Sequence, residues 1–555
     1  MTLGADPGAR VRALCALGLV FGVVALDVVM VGGAAPRIAG DLRGADLLGW
    51  LFTAFLLAWT VTGPIFGKLA DWYGRRPVLF AGLGFHVVGA LLASQATTME
   101  QAIACRFVQG VGTGAIMPVA YTAGGDLYPP AERAKGQALF SFVYFVASAV
   151  APPLTQLLVT TVSWRAIFGL DVALGILAGV ALWRLMAERV ERRPHRLDVL
   201  GAVLLMVGVG ALLLALALGS RGAGWTAPSQ LGLYALGIAG TAAFLWWETR
   251  VAEPLVPLGL FRHRVVLGAC LVTLLMGSCL WSLSAFVPLL VQGVQGGSPF
   301  QSTLISLPVN GFWFLTSALA VPLLWRWGYR QTSLVGMAGL VVGFVVLAQA
   351  GGDSARAYGL VLAGVGIAGL GLGFVNSAVT VAVQNAVPWA ERATATSTLQ
   401  LFRQFGPTVA IAVLQTFLNA QFAAQVAAQG IAVETLGAAG AKANALLAPD
   451  IQASLPPVLL DGLRAALELA LHQTFWLVAA IALVGCLAVR LLPGGHPALH
   501  VFREETAPPA PQPREESEER AKRRNASHAP RSETTPGADG ALSPAARASE
   551  RRETR

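Results

Sequence analysis

Long apolar runs alternate with short polar joints along most of the chain. Fourteen runs lie near residues 13–35, 47–67, 78–95, 101–124, 136–159, 166–186, 199–219, 231–248, 265–292, 303–325, 332–350, 358–383, 394–418 and 474–492. Each comes close to, or exceeds, the roughly 20 residues that a helix needs to cross the hydrocarbon core of a bilayer. The pattern predicts an all-α integral membrane protein with fourteen transmembrane helices. Two stretches break it. Residues 419–472, rich in Ala and Gln, form a long external connection. Within it, Leu459 to Leu471 has the spacing of an amphipathic helix lying on the membrane, with a solvated loop as the alternative. Residues 503–555, rich in Pro, Glu, Arg and Ser, have the composition of a disordered tail.

Composition agrees with the pattern. Of 555 residues 55% are hydrophobic and 12% charged, against about 25% charged in soluble proteins. A net charge of +9 would suit a nucleic-acid binder, but the basic residues collect at the ends of apolar runs, where they act as topology signals. Arg10 and Arg12, then Lys68, Arg75 and Arg76, Arg133 and Lys135, Arg189 to Arg196, Arg262 and Arg264, and Arg326 and Arg330 fall in alternate joints. The intervening joints are poor in Lys and Arg, and 293–302 carries no charge. The positive-inside rule puts the basic joints and both termini in the cytoplasm, as for a bacterial inner-membrane protein. No nucleic-acid partner is expected. Cys15, Cys105, Cys270, Cys279 and Cys486 sit in apolar runs without metal-ligand spacing. With no phosphate loop, metal cluster or nucleophile–base arrangement, neither an enzyme nor a metal or organic cofactor is expected.

The chain also echoes itself. At an offset of 254, Gly74 maps to Gly328, Gly110 to Gly364 and Gly112 to Gly366, and at 255 Pro152 maps to Pro407. Trp327-Gly328-Tyr329-Arg330 is a worn copy of a more strongly marked loop. That loop is Gly67-Lys68-Leu69-Ala70-Asp71-Trp72-Tyr73-Gly74-Arg75-Arg76. It resembles the signature between the second and third helices of the major facilitator superfamily. Arg106-Phe107-Val108-Gln109-Gly110-Val111-Gly112 matches that family's fourth-helix motif, and Leu26-Asp27 through Ala35-Pro36 resembles the first helix of its fourteen-span drug:proton antiporters. The antiporter motif of helix 5 keeps its proline as Pro152, while its glycine positions hold Ala147, Ala151, Thr155 and Gln156. The resemblance and the internal echo together imply two six-helix halves, 1–190 and 262–492, two inserted helices within 191–261, and a cytoplasmic tail at 493–555.

Candidate functional residues follow. Asp27 lies in mid-run, at a depth where a carboxylate costs about 3 kcal/mol to insert, so a proton-coupling role is assigned to it, the alternative being a structural acid satisfied by neighbouring hydroxyls or backbone. Arg106 needs an anion or carbonyl partner at similar depth and by resemblance takes part in proton transfer. The two need not touch, since a water can connect them. Asp171 stands where the family usually has Asn and is a second protonatable acid or a plain interfacial residue. Gly67, Asp71, Gly74, Arg75, Arg76 and Asp126 are assigned by resemblance to a cytoplasmic latch. Gln109, Tyr144, Phe145, Asn310 and Asn376 are expected at the substrate cavity, with Arg403 a further polar point in the second half. Phe142, Phe312, Trp313 and Phe314 are further wall residues or packing. His86 stands alone in its run and is expected to be structural.

The resemblance implies a proton-driven antiporter that exports amphiphilic or apolar small molecules, working as a monomer in the lipid bilayer. The alternatives are an exporter of a lipid, siderophore or endogenous metabolite, and a non-transporting membrane sensor or scaffold.

Overall fold

The computed structural model describes residues 7–44, 47–186, 198–219, 226–297, 301, 304–352, 355–429, 443 and 456–495. The predicted tail at 503–555 and the middle of the 419–472 connection lie outside them. All regular structure among the described residues is helical. The first half comprises α1 (Pro7–Asp41), α2 (Leu48–Tyr73), α3 (Arg75–Ser94), α4 (Met99–Asp126), α5 (Ala134–Thr161) and α6 (Arg165–Leu185). Next come α7 (Val199–Leu218) and α8 (Pro228–Glu248). The rest comprises α9 (Arg264–Pro288), α10 (Ser306–Leu347), α11 (Ala355–Ala386), α12 (Arg392–Ala428) and α13 (Pro457–Ala488). Twelve helical stretches among the described residues are long and apolar enough to cross a membrane. α10 is counted once among them, and α8 is not included.

Local chemistry sets where the helices begin and turn. Thr98 caps α4 by accepting the Gln101 N–H. The Gln101 carboxamide oxygen accepts the Thr97 N–H at 2.9 Å, so two otherwise unpaired donors are satisfied. Asp198 caps α7 and also accepts from Trp247 Nε1 at the end of α8, tying the inserted pair together. α2 and α3 are separated by one residue, Gly74, with φ 95° and ψ 164°. Gly328 divides α10 with nearly the same backbone, φ 80° and ψ 170°. A side chain would be strained at both, so the echo seen in the sequence is an echo of one backbone turn.

Each half has its own apolar core. One core unites α9, α10, α11, α12 and α13, and two others unite the six helices of the first half. The halves meet chiefly along two helix pairs, α2 with α12 and α5 with α10, with α4 also packed on α12. α7 and α8 lie to the side, packing Leu205, Val209, Leu213 and Phe244 around Val61 of α2. The surface helix expected at Leu459 to Leu471 is instead the first part of α13. Leu463, Ala466, Leu467, Ala470 and Leu471 are buried against the second-half core, because the apolar stripe has a protein partner and needs no lipid one.

Candidate functional site

Three structures occupy the interior: a charged cluster within the first half, a layer of ionic contacts between the halves, and a cavity beyond that layer.

The cluster forms where α1, α3, α4 and α6 converge. Arg106 Nη1 donates to both carboxylate oxygens of Asp27, at 2.8 and 2.7 Å, and to Gln109 Oε1 at 3.0 Å. Its guanidinium stacks 4.0 Å from the Phe55 ring centre. Asp27 and Arg106 are fully buried, and their contact is direct rather than through a water. His86 and Asp171 complete the group: one side-chain oxygen or nitrogen from each of Asp27, His86 and Asp171 lies within 4.8 Å of the other two. His86 is therefore not isolated. α3 and α4 approach so closely that a Cβ on Gly112 would collide with the Gly82 carbonyl and the His86 backbone. Small residues around the histidine, Gly82 and Gly89, are the signal in the sequence that this face of α3 meets another helix. Gln109 belongs to this cluster and not to the cavity, since its amide is spent on Arg106 and Asp27.

The inter-half layer gathers around Arg75. Arg75 Nη2 lies 3.2 Å from Asp71 Oδ1, and Nε donates to Asp126 Oδ2 at 3.2 Å. It also crosses to the second half, donating to the Trp389 carbonyl at 3.0 Å and stacking 3.9 Å from that ring's centre. Asp71 accepts the backbone N–H groups of Ala393 and Thr394 at 3.0 and 2.7 Å. It thus caps the N-terminus of α12 from the opposite half, where a carboxylate is favoured by the unpaired donors and the helix dipole. Gly67 lets α2 close on α12, since a Cβ there would strike Ser397. Arg392 pairs with Asp126. Arg133 donates to the Gln384 carbonyl at 2.9 Å and to the Asn385 side chain. Arg76 turns away, onto the Trp183 carbonyl of α6 at 2.7 Å, and holds the first half together rather than joining the two.

Sequence reasoning found Asp71, Arg75 and Asp126 of this layer and missed the roles of Arg133 and of the second-half members. The signal was present: Ala131-Glu132-Arg133-Ala134 recurs as Ala390-Glu391-Arg392-Ala393.

The cavity, about 1390 Å³, lies between the halves on the far side of the layer. It reaches Thr160 and Gln292, near the ends of α5 and α9 remote from the Arg75 contacts. Tyr144, Asn310, Trp313 and Arg403 line it, as do Pro152, Thr155 and Gln156 of the altered helix 5 motif. Phe145 and Asn376 are not on the wall. Phe145 lies parallel to Phe314, with ring centres 6.4 Å apart, and Asn376 is held behind the wall as an acceptor for Arg403. Phe142 and Phe312 are 44% and 40% exposed on the outer surface, away from the cavity.

Two helical halves that meet over a central cavity, closed at one end by ionic and hydrogen-bonded contacts across the halves, have the architecture of a membrane transporter. Residues 17–411 match the Major Facilitator Superfamily, and the chain belongs to that family. It is 34% identical over 412 residues to Multidrug transporter protein MdtP of Bacillus subtilis, covering 74% of this chain and 76% of the relative. It is 31% identical over 402 residues to Multidrug resistance protein 3 of the same organism, covering 72% and 78%. Among solved structures, the human organic anion transporter MFSD10 superposes with a TM-score of 0.58 at 14% identity. That match covers 87% of this chain and all of the other, a likeness of fold alone. The chain is thus a multi-pass transporter of small molecules, similar to multidrug transporters.

Proposed function

We propose that this protein is a proton-coupled antiporter that exports amphiphilic small molecules across a bacterial inner membrane. It works as a monomer, with the Arg75 layer and both termini on the cytoplasmic side. α8 and the second arm of α10 each add a crossing to the twelve stretches, which makes fourteen. The cavity beyond a closed cytoplasmic layer then corresponds to the outward-facing state.

The observation that carries the proposal is the buried cluster of Asp27, Arg106, Asp171 and His86. Two carboxylates, one guanidinium and a neutral imidazole sum to one negative charge. An unbalanced charge in a low-dielectric interior is costly, and a single proton brings the sum to zero. The cluster therefore stores one proton in the resting protein, on Asp171 or shared with His86. Release toward the cytoplasm recharges it and biases the halves toward a different packing. The proton gradient supplies the driving force, and no cofactor enters the cycle. Asp27→Asn and Asp171→Asn each reach neutrality without a proton, so each removes the store while keeping side-chain volume. Full-length protein in sealed vesicles, with a pH gradient and dansyl-labelled undecanoic acid and its methyl ester as amphiphiles, tests this. Wild type is expected to drive uphill movement and both variants to lose it, with Asp171→Asn, which keeps the Asp27–Arg106 pair, unfolding at an unchanged temperature. Uphill movement at wild-type rate by Asp27→Asn overturns the assignment.

A further inference from the structure

We infer that the cavity takes anionic amphiphiles, a carboxylate or similar acceptor-rich head on an apolar body. This rests on the exporter reading above and gives it a substrate class. Among the described residues that line the cavity only Arg403 is charged, and no Asp, Glu or Lys is present. Arg403 is 9% exposed. Its neighbours are neutral: it donates to the side-chain oxygens of Asn376 and Gln400, and its guanidinium stands 5.3 Å from the Tyr121 ring centre. Of the other buried arginines, Arg75, Arg106 and Arg392 contact carboxylates, while Arg133, in the layer between the halves and away from the cavity, donates to the Gln384 carbonyl and the Asn385 side chain. A desolvated guanidinium normally has an anion, and here none is supplied by the described protein.

Two further donors share the wall with it. Gln404 Nε2 and Trp313 Nε1 have no hydrogen-bond partner. The guanidinium is the charged donor of the cavity and suits an acceptor group on the ligand, and the two unpaired N–H groups lie covered just beneath the wall beside it. Trp59, Trp281, Phe140 and Tyr144 line the same space and would cover the apolar body. A cationic amphiphile meets the opposite situation. Its charge would lie near Arg403, and the intramembrane carboxylate Asp27 is absent from the wall and committed to Arg106. Like charges in one desolvated space discriminate strongly against that class.

The test uses three matched probes: dansyl-labelled undecanoic acid, its methyl ester, and the trimethylammonium analogue of equal chain length. Binding to the purified full-length protein in neutral detergent is read by fluorescence at neutral pH. The acid is expected to bind about tenfold more tightly than the ester, and the ester more tightly than the ammonium compound. In Arg403→Gln the preference for the acid should collapse while the ester's Kd stays within a factor of about three. An ammonium probe that binds as tightly as the acid overturns the inference, as does an acid preference that survives in Arg403→Gln. Trp313→Phe keeps an aromatic ring, though a smaller one, and removes one donor. It should weaken the acid alone, and an unchanged acid-to-ester ratio there would count against a role for that N–H. The wild-type probe series does not depend on any variant folding. Selective binding of the acid with no movement across sealed vesicles would sink the exporter reading and leave the ligand class standing.

Discussion

At the closed end of the cavity the two halves present the same positions with different charges. Asp126 of α4 corresponds to Asn385 at the end of α11, and Arg133 corresponds to Arg392, both at an offset of 259 residues. Arg75, which follows Gly74, corresponds to Tyr329, which follows Gly328. The contacts are copied along with the positions. Arg392 reaches across to Asp126, and Arg133 reaches across to Asn385. Arg75 holds Asp126 within the first half, and Tyr329 Oη accepts from Asn385 Nδ2 at 2.8 Å within the second. One arm of the layer is thus an ionic chain and the other a neutral hydrogen-bonded copy. The cluster deeper in the bundle is equally one-sided, since Asp27, His86, Arg106 and Asp171 all belong to the first half. On the proton-coupled reading proposed above, the charge that changes during the cycle is concentrated in one half.

The largest effect should come from making the ionic arm like the neutral one. Asp126→Asn leaves Arg392 without a carboxylate, while Arg75 keeps Asp71. Removing one member of a buried ion pair costs about 3–5 kcal/mol because the remaining charge stays desolvated. The observed packing should therefore lose at least about a hundredfold in population to the alternative. Spin labels at Tyr73 and Trp327, which are 42% and 40% exposed at the two kinks, report this in a cysteine-free background. The wild-type distance distribution should give way to a longer one, and an unaltered distribution would refute the role given to Asp126.

Asn385→Asp tests the same comparison in reverse. Arg75, Arg133 and Arg392 face two carboxylates in this layer, Asp71 and Asp126, which leaves one positive charge in excess. A carboxylate at 385 would balance it and turn the Arg133 contact into a charge-assisted bond, about twice as strong as a neutral one. A gain of about 1–2 kcal/mol for the closed layer is expected. The same labels should show a narrower short-distance population, and turnover in vesicles should slow by roughly tenfold. Faster turnover would mean that the neutral arm is not the weaker one.

The parts of this arrangement legible in the sequence are those written in consecutive residues. The loop from Gly67 to Arg76 combines cations, an acid and a positive-φ glycine in ten positions, so its place at a tight turn between two membrane helices can be argued from local chemistry. Asp27 and Arg106 stand out because charge is expensive in an apolar run. His86 does not, since a histidine among apolar residues is ordinary until α3 and α4 are brought together. Arg403 is visible as a polar point of the second half, but its lack of an anion is a property of the cavity and not of α12. The inter-half partners of Asp71 are backbone N–H groups at the start of α12, which no side-chain pattern records. The long helix α13 was obscured for a related reason: its first turns are amphipathic, and only the packed core shows which surface takes the apolar stripe.

The smallest predicted effect isolates the neutral arm. Tyr329→Phe removes one hydroxyl and keeps the ring, which is buried at 1% exposure against Ala320, Leu324 and Ala378. The hydroxyl's recorded role is to accept from Asn385 Nδ2, the amide whose oxygen receives Arg133. Its loss should free the Asn385 side chain to rotate and weaken the Arg133 contact indirectly. A neutral hydrogen bond contributes about 1 kcal/mol, so the closed layer should lose roughly fivefold in population, far less than in Asp126→Asn. The double variant Tyr329→Phe with Asn385→Asp gives the sharper measurement. If the hydroxyl acts by orienting residue 385, the two changes will be non-additive, because a carboxylate offers either oxygen to Arg133 and needs less orientation. Strict additivity of the two shifts in the label distances would place the tyrosine's contribution in ring packing alone, and the correspondence between Tyr329 and Arg75 would then be one of position without function.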